Sequence, residues 1–279
     1  MEIGGIPMTD VDKSPDRVCR MFDSIAPYYD FFNHFFTFGV DCLWRRRVAG
    51  VIFSELSGVR SGVVNILDSE QIVVGEDGQV EISFGGGLSC GLMFLDVCCG
   101  TGDLVYEFLR RGGGGVEFFG IDFSQAMISR ARRKLPALAG RFLVGDAGSL
   151  PFGAGLFDVV SCAFGLRNVS DLGRVLGEMV RVCKVGGIVA VLEFSLPQFF
   201  LIRYPFRVYF EYILPFVGDF FSGNRDKAYK YLPQSVLNFD SPAILAQKMQ
   251  QAGLVEVKIV PMTFGIANLI YGKKSLPCV

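Results

Sequence analysis

The sequence predicts an α/β fold with a doubly wound, mostly parallel sheet of seven strands. Two observations lead to this fold class. The chain has 279 residues, of which 51% are hydrophobic and only 20% charged, so it can bury the core of a full α/β domain. From residue 92 onwards, short apolar runs alternate with stretches whose apolar residues recur at helical spacing. This alternation is typical of right-handed βαβ units that build a parallel sheet.

The part of the chain before residue 92 has a different pattern. Residues 14–57 place apolar and aromatic side chains at helical spacing, which predicts a helical cover within residues 1–60. Residues 63–84 carry β-branched runs on both sides of the turn signal Gly75–Gly78. We therefore predict that residues 61–91 are an insertion that holds a β-hairpin.

Residues 92–279 are predicted to form the core domain, which includes an aromatic cover segment at 194–234. Its predicted strands are 92–97, 116–121, 141–144, 157–163, 187–194, 254–260 and 265–272. Its predicted helices are 103–111, 124–134, 171–183 and one near 241–252. Together these elements supply the seven strands of the sheet.

The charge pattern argues against nucleic acid as a partner and against a membrane-spanning segment. The net charge of −1 provides no global basic field for phosphates, and the basic clusters at 44–47 and 129–135 are interpreted as solvated helix surfaces. The longest stretches without Asp, Glu, Lys or Arg have 14 residues, whereas a spanning helix needs roughly 20 apolar residues. The first 13 residues lack the apolar core of a signal peptide, so we expect a cytoplasmic protein.

The cysteines and the histidine restrict the chemistry. The eight cysteines form no CxxC pair and show no disulfide-like spacing, which indicates a reducing compartment. His34 is the only histidine, so a Ser-His-Asp triad or a His-rich metal site would have to be built on that one residue. We therefore expect no metal.

The stretch LDVCCGTGD, residues 95–103, ends the first core strand and opens the next helix. It places Asp96 at the strand end and Gly100 and Gly102 in the turn, where glycines tolerate φ > 0 and let backbone N–H groups approach a ligand. The third glycine of a dinucleotide fingerprint is missing, because position 105 is Val. The turn therefore predicts a ligand site of another kind.

The next two strands also end in carboxylates. Asp122 follows Gly102 by twenty residues, a distance at which a carboxylate accepts hydrogen bonds from ribose hydroxyls. Asp146 and Ala147 end the third strand, where a side-chain oxygen can accept a hydrogen bond from an adenine amino group. Three acidic strand ends would repel a pyrophosphate but suit a cationic nucleoside such as S-adenosylmethionine.

Six motifs resemble one enzyme family: MFDSIAPYYDFFN, FGVDCLWRRR, LDVCCGTGD, FGLRNVSD, VLEFSLP and YKYLPQSV. Over most of its length the chain is similar to the ubiquinone/menaquinone-biosynthesis C-methyltransferases of UbiE type. The resemblance implies a class I, Rossmann-like methyltransferase fold. It also implies methyl transfer from S-adenosylmethionine to a ring carbon of a polyprenylated quinol. The implied acceptor is 2-polyprenyl-6-methoxy-1,4-benzoquinol, demethylmenaquinol or both.

The resemblance further implies roles for individual residues. Four positions match those with which the family holds S-adenosylmethionine: Thr101, Asp122, Asp146 and Ala147. Three others fall where the family manages the proton of the acceptor: Tyr29, Arg167 and Asn168.

Arg167 ends a strand that is otherwise apolar, and an isolated buried charge is costly. A guanidinium in a dry pocket favours the phenolate form of a quinol, but it cannot act as a base because it stays protonated. In this hypothesis Asn168 fixes the geometry and Tyr29 hydrogen-bonds the acceptor. The alternative is that Arg167 pairs with an acid such as Asp171 and caps the next helix.

The aromatic residues of 194–221 allow two interpretations. They form either a packed helical cover, or an apolar channel and a lip at the inner face of the membrane that accepts a polyprenyl tail. The implied partners are then the quinol and membrane lipid, while a homodimer or a complex of quinone-biosynthesis proteins stays open. Two other functions also stay open: methylation of another phenolic or sterol acceptor, and a non-catalytic interaction protein with this fold.

Overall fold

The computed structural model describes residues 13–57, 70–74, 80–84, 91–112, 116–197, 199–209 and 228–276. Two predicted features lie partly outside these residues: the hairpin turn with the glycine-rich joint after it, and the middle of the aromatic cover segment. Within the described part, no helix is both long enough and apolar enough to cross a membrane.

The residues predicted as a helical cover form three helices. These are α1 (Pro15–Ile25), α2 (Tyr29–Phe36) and α3 (Val40–Ser57), with a 3₁₀ turn at Ala26–Tyr28 between the first two. Proline at the first position of α1 suits a helix start, because its φ is already helical and its missing N–H is not needed there. Thr37 caps the C-terminus of α2, and its hydroxyl donates to the carbonyl of Asn33 at 2.6 Å.

Two short strands follow within the predicted insertion. Strand β1 (Glu70–Val74) pairs with β2 (Val80–Phe84) in the antiparallel sense, with Ile72 opposite Ile82. They form a two-stranded sheet of their own. The division of the chain into cover, insertion and core stays a prediction.

The core strands are β3 (Leu92–Val97), β4 (Val116–Asp122), β5 (Phe142–Val144), β6 (Phe157–Ala163), β7 (Cys183–Phe194), β8 (Leu254–Met262) and β9 (Ala267–Lys274). The core helices are α4 (Asp103–Gly112), α5 (Gln125–Lys134), α6 (Leu172–Val182), α7 (Phe200–Val208), α8 (Ala228–Leu237) and α9 (Pro242–Gln251).

These strands make one seven-stranded sheet in the order β5-β4-β3-β6-β7-β9-β8. The five strands from β5 to β7 in this order are parallel, and β9 runs antiparallel to both of its neighbours. The predicted α/β class with a mostly parallel sheet is therefore confirmed. Because parallel strands end at the same edge, the acidic ends of β3 and β4 are brought together.

The starts of two strands, β7 and β9, differ from the predicted ones by two residues or more, and every other strand end lies within two residues of its predicted position. The β7 strand begins at Cys183 rather than at residue 187, because Cys183 pairs with Phe157 as soon as α6 ends and the register shifts before Ile188. The β9 strand begins at Ala267 rather than at residue 265, because a 3₁₀ turn with Phe264 at φ 58° connects it to β8.

The sheet is buried on both faces by two apolar clusters. One contains side chains from α6 and α9, such as Met179 and Met249. The other contains side chains from α3, α4 and α5, such as Ile52, Phe108 and Ile128. With both faces packed by helices, the ligand-accessible region of the sheet is the edge formed by its carboxyl strand ends.

Candidate active site

A cavity of about 280 Å³ opens at the carboxyl ends of β3, β4 and β6. We call it the acidic cavity, because Asp122, Asp146 and Asp171 line it. The α1 helix covers it with Val18 and Phe22. The cavity therefore lies between the sheet edge and the N-terminal helices.

The turn after β3 is held to β4 by a hydrogen bond from a backbone N–H to a side-chain carboxylate. The N–H of Gly100 donates to Asp122 Oδ2 at 2.9 Å, and the N–H of Ser124 donates to Oδ1 of the same carboxylate at 2.9 Å. Gly100 adopts φ 54°, a conformation that favours glycine. Burial raises the pKa of Asp122 to about 6, although the two backbone hydrogen bonds oppose the shift. Both Gly100 and Asp122 line the acidic cavity.

The predicted residues at the end of β5 also reach the acidic cavity. Asp146 Oδ1 accepts the N–H of Gly148 at 2.8 Å, while the residue as a whole is exposed. Ala147 is 8% exposed and packs into the core. Together with Gly100 and Asp122, these two residues are the four predicted cofactor residues that line the cavity.

The other three predicted cofactor residues do not line it. Asp96 is 3% exposed and accepts the hydroxyl of Ser161 at 2.8 Å, and burial raises its pKa to about 7. Thr101 is buried and donates its hydroxyl to Asp30 at 2.5 Å. At Gly102 a Cβ would lie 3.2 Å from the ring of Phe142, so this glycine faces the apolar core.

A second cavity of about 280 Å³ adjoins the first. We call it the aromatic cavity after the rings that line it: Phe36, Phe38, Trp44, Phe164, Phe194, Phe206 and Tyr209. Charged groups reach it from Asp41, Arg45 and Arg167. Tyr29 and Phe164 line both cavities and form the wall between them.

Arg167 lies in a 3₁₀ turn after β6 and is 5% exposed. Its Nη1 donates to Glu193 Oε2 at 2.9 Å and to the carbonyl of Phe164 at 2.5 Å, while its buried Nε has no hydrogen-bond partner among the described residues. The alternative partner Asp171 is wrong, because that carboxylate caps α6 by accepting the N–H of Arg174. The guanidinium is therefore paired, yet it still lines the aromatic cavity.

The other two predicted catalytic residues occupy different positions. Asn168 lines the acidic cavity, and its buried Oδ1 has no hydrogen-bond partner within the described part of the chain. Tyr29 lines both cavities. Burial raises the pKa of Tyr29 although Arg167 opposes the shift, so its hydroxyl is a neutral donor at pH 7. Of the three, Tyr29 and Arg167 meet at the aromatic cavity.

Glu193 and Asp30 were missed by the sequence interpretation. Glu193 is the penultimate residue of β7 and follows an apolar run, and an acid in such a position indicates a buried partner. Asp30 lies directly after Tyr29 within the motif APYYD, but its partners Thr101 and Lys134 are far away in the chain, so no local pattern reveals them.

His34, Asp41 and Cys42 lie close to one another. His34 Nδ1 is 2.9 Å from Asp41 Oδ2 and 3.6 Å from Cys42 Sγ. Asp41 also pairs with Arg45 and accepts the hydroxyl of Thr37 at 2.7 Å. Because a guanidinium already compensates this carboxylate, the cluster is satisfied without an ion. The expected absence of a metal stays a prediction.

Comparison with known proteins extends this description. The pattern of the ubiE/COQ5 methyltransferase family matches residues 8–274. A demethylmenaquinone methyltransferase of Thermus thermophilus is 37% identical over 91% of this chain and 100% of its own length. A ubiquinone/menaquinone biosynthesis C-methyltransferase UbiE of Geotalea daltonii is 34% identical over 96% of this chain and 100% of its own length.

Among solved structures, the CurJ carbon methyltransferase is similar with a TM-score of 0.50. It is 18% identical, and the match covers 69% of this chain and 50% of that one. At this identity the likeness concerns the fold alone. The family match over nearly the whole chain is the stronger finding. The chain therefore belongs to the ubiE/COQ5 methyltransferase family and is an S-adenosylmethionine-dependent methyltransferase of class I fold.

Proposed function

We propose that this protein transfers a methyl group from S-adenosylmethionine to a ring carbon of a polyprenylated quinol. The acceptor is 2-polyprenyl-6-methoxy-1,4-benzoquinol, demethylmenaquinol or both. One observation carries the proposal: a cavity lined by carboxylates and a cavity lined by aromatic rings and Arg167 share the wall formed by Tyr29 and Phe164. A cationic donor and an aromatic acceptor would then meet beside Tyr29 and Phe164, where the two cavities adjoin.

The acidic cavity fits the donor. Asp122 and Asp146 supply carboxylate oxygens for ribose hydroxyls and an adenine amino group. The unpartnered Oδ1 of Asn168 supplies a further acceptor, and a buried acceptor without a partner calls for a ligand donor. When bound, S-adenosylmethionine supplies a methyl group on a cationic sulfur. The neighbouring carboxylates favour that positive charge.

The aromatic cavity fits an acceptor that must lose a proton to react. A phenolic hydroxyl has a pKa of about 10, so it is mostly neutral at pH 7. Arg167 places a guanidinium 5.5 Å from the centroid of the Phe194 ring, within a pocket of low dielectric. A positive charge in such a pocket favours the phenolate and makes the ring carbon more nucleophilic.

The unpartnered Nε of Arg167 suits a hydrogen bond to the acceptor oxygen or to a water beside it. Glu193 holds the other side of the guanidinium, so the side chain does not need the acceptor to keep its position. Tyr29, as a neutral phenol, donates a hydrogen bond to the acceptor. The hydroxyl proton of the acceptor leaves to water and not to Arg167, because the guanidinium stays protonated throughout.

The polyprenyl tail is proposed to leave the aromatic cavity towards a bilayer. Residues at and around this cavity expose large apolar side chains: Phe31 (61%), Phe35 (48%), Phe38 (84%), Leu201 (70%) and Tyr204 (58%). The α2 helix has rings on two sides, because Phe32 and Phe36 pack inwards next to Phe206 and Tyr209. Exposed aromatic side chains on a short helix are typical of a surface that inserts at a membrane interface.

The test is methyl transfer by the purified protein, with labelled S-adenosylmethionine and short-tailed benzoquinol and naphthoquinol acceptors. We expect a product heavier by one methyl group, with the new carbon–carbon bond located by fragmentation. Transfer to a sterol or a simple phenol, but not to either quinol, would refute the proposed acceptor class. Donor binding in calorimetry without transfer to any acceptor would favour a non-catalytic role.

A further inference from the structure

We propose that Asp30 is a positioning residue, which fixes Tyr29 at the wall between the two cavities by anchoring α2 to the turn after β3. The inference rests on the proposed function, since it deepens the role given there to Tyr29. It also assigns the hydroxyl of Thr101 to this anchor rather than to the cofactor.

Both oxygens of the Asp30 carboxylate are engaged by groups from other elements. Oδ1 accepts the hydroxyl of Thr101 at 2.5 Å, and Oδ2 pairs with Lys134 Nζ at 2.6 Å. Thr101 is only 2% exposed, so its hydroxyl has little access to water and depends on this partner. Lys134 also donates to the Thr101 oxygen at 3.2 Å, which closes a triangle of three side chains.

The triangle belongs to a chain of alternating charges that reaches α3. Lys134 Nζ lies 2.6 Å from Asp103 Oδ1, and Arg45 Nη2 lies 3.6 Å from Asp103 Oδ2. Burial alone would lower the pKa of Lys134, but Asp103 and Asp30 raise it. The amine therefore stays charged at neutral pH, so the anchor is an ionic one.

The anchor acts next to the functional groups on both of its sides. In the turn after β3, Thr101 follows Gly100, which lines the acidic cavity and donates a hydrogen bond to Asp122. On the helix side, Asp30 follows Tyr29, which lines both cavities. A shift of α2 relative to the loop would displace Tyr29 from both ligands. Misplacement by about 1 Å can cost a reaction roughly 100-fold.

A second contact of the N-terminal helices gives a matched comparison. Asp23 on α1 accepts the hydroxyl of Ser124 at 2.5 Å and the N–H of Ala126 at 3.3 Å. It therefore ties α1, rather than α2, to the start of α5. If Asp30 only stabilised the fold, loss of Asp23 and loss of Asp30 would act alike.

The experiment is a set of double-mutant cycles. We expect Asp30→Ala and Thr101→Val each to lower kcat roughly tenfold. We expect Asp30→Ala/Tyr29→Phe to be within twofold of Tyr29→Phe, because the anchor acts through that side chain. By contrast, the fold-reductions in kcat caused by Asp23→Asn and by Tyr29→Phe should multiply in the double variant. The exposed Asp16→Asn change on α1 should keep activity within twofold of the parent.

The same cycles are measured as calorimetric affinities for S-adenosylhomocysteine, because Tyr29 also lines the acidic cavity. This readout needs no acceptor, so it tests the anchor even if the protein methylates no quinol. Multiplying effects of Asp30→Ala and Tyr29→Phe in both readouts would overturn the inference. A Thr101→Val variant that keeps the parental kcat but binds S-adenosylhomocysteine more weakly would also overturn it. So would a Tyr29→Phe variant with parental kcat and affinity if Asp30→Ala lowered either quantity.

Discussion

Arg167 and Glu193 form an ion pair that is almost closed to solvent. Nη1 and Oε2 are 2.9 Å apart, and the two side chains are 6% and 3% exposed. Glu193 Oε1 also accepts the backbone N–H of Arg167 at 3.3 Å, so the carboxylate holds both the side chain and the turn that carries it. The pair gives the aromatic cavity a fixed guanidinium.

Loss of the guanidinium should abolish most of the activity. We expect Arg167→Lys and Arg167→Ala to lower kcat roughly 100-fold, the typical cost of removing a donor to a developing oxyanion. Lysine keeps the charge but loses the planar guanidinium, in which Nη1 donates to Glu193 and to the Phe164 carbonyl while Nε is left for the acceptor. The measurement is initial rates with a short-tailed quinol. Activity within twofold of the parent for both variants would remove Arg167 from the mechanism.

Donor affinity should increase as the pH rises from 5 to 8. Burial raises the pKa of Asp122 to about 6, so this carboxylate is largely protonated at pH 5 and ionised at pH 8. The ionised form favours a cationic ligand, and each pH unit below the pKa weakens binding about tenfold for one such group. Calorimetry with S-adenosylmethionine measures the profile. Asp122→Asn should flatten it, and an unchanged slope in that variant would contradict the assignment.

Asp96 should limit the stability of the ligand-free protein at high pH. Burial raises its pKa to about 7, so the folded state favours the protonated form. Its contribution to stability is therefore present below the unfolded pKa and is lost as the pH rises through about 7. We expect Asp96→Asn to flatten this decline and to raise the free energy of unfolding by roughly 4 kcal/mol at pH 8. Urea unfolding across the pH range measures it, and a less stable variant at pH 8 would refute it.

The exposed aromatic side chains near the aromatic cavity should bind lipid vesicles. We expect replacement of Phe31 and Phe38 by Ser to reduce co-sedimentation with anionic vesicles at least about fivefold, since both side chains are largely exposed. Val185→Ser is the matched control, because Val185 is 50% exposed near the opposite end of the sheet. If Val185→Ser reduced vesicle binding equally, or if replacement of Phe31 and Phe38 did not reduce it, the proposal that these side chains contact the membrane would be contradicted.

Local patterns determine the parts of the fold that the sequence predicts well. The apolar run before Asp96 and the glycines after it predict β3 and its turn, because strand and turn chemistry depends on neighbouring residues. The boundaries of β7 and β9 were missed because pairing partners such as Phe157 and Cys183, 26 residues apart, set them. Pairing across such distances leaves no periodic signal.

Local sequence patterns likewise predict some residues of the candidate site and not others. The carboxylate of Asp122 is predictable because a strand of seven residues ends at it. The partner of Arg167 was not predictable: Asp171 is nearer in sequence, but Glu193 is nearer in space, because β6 and β7 are neighbours in the sheet. Likewise, the hydroxyl of Thr101 turns to Asp30, 71 residues earlier in the chain, once α2 packs against the turn.

The position of β9 between β7 and β8 has a consequence for biosynthesis. During translation β8 emerges from the ribosome before β9, yet its only ladder within the described residues is with β9. Until β9 has been synthesised, β7 also has an open edge, and β8 has no ladder partner among the described strands. Synthesis of β9 is therefore needed before β7 and β8 can join one sheet. A ribosome that stalled before β9 would leave two strand edges unpaired, and chaperones would have to cover them.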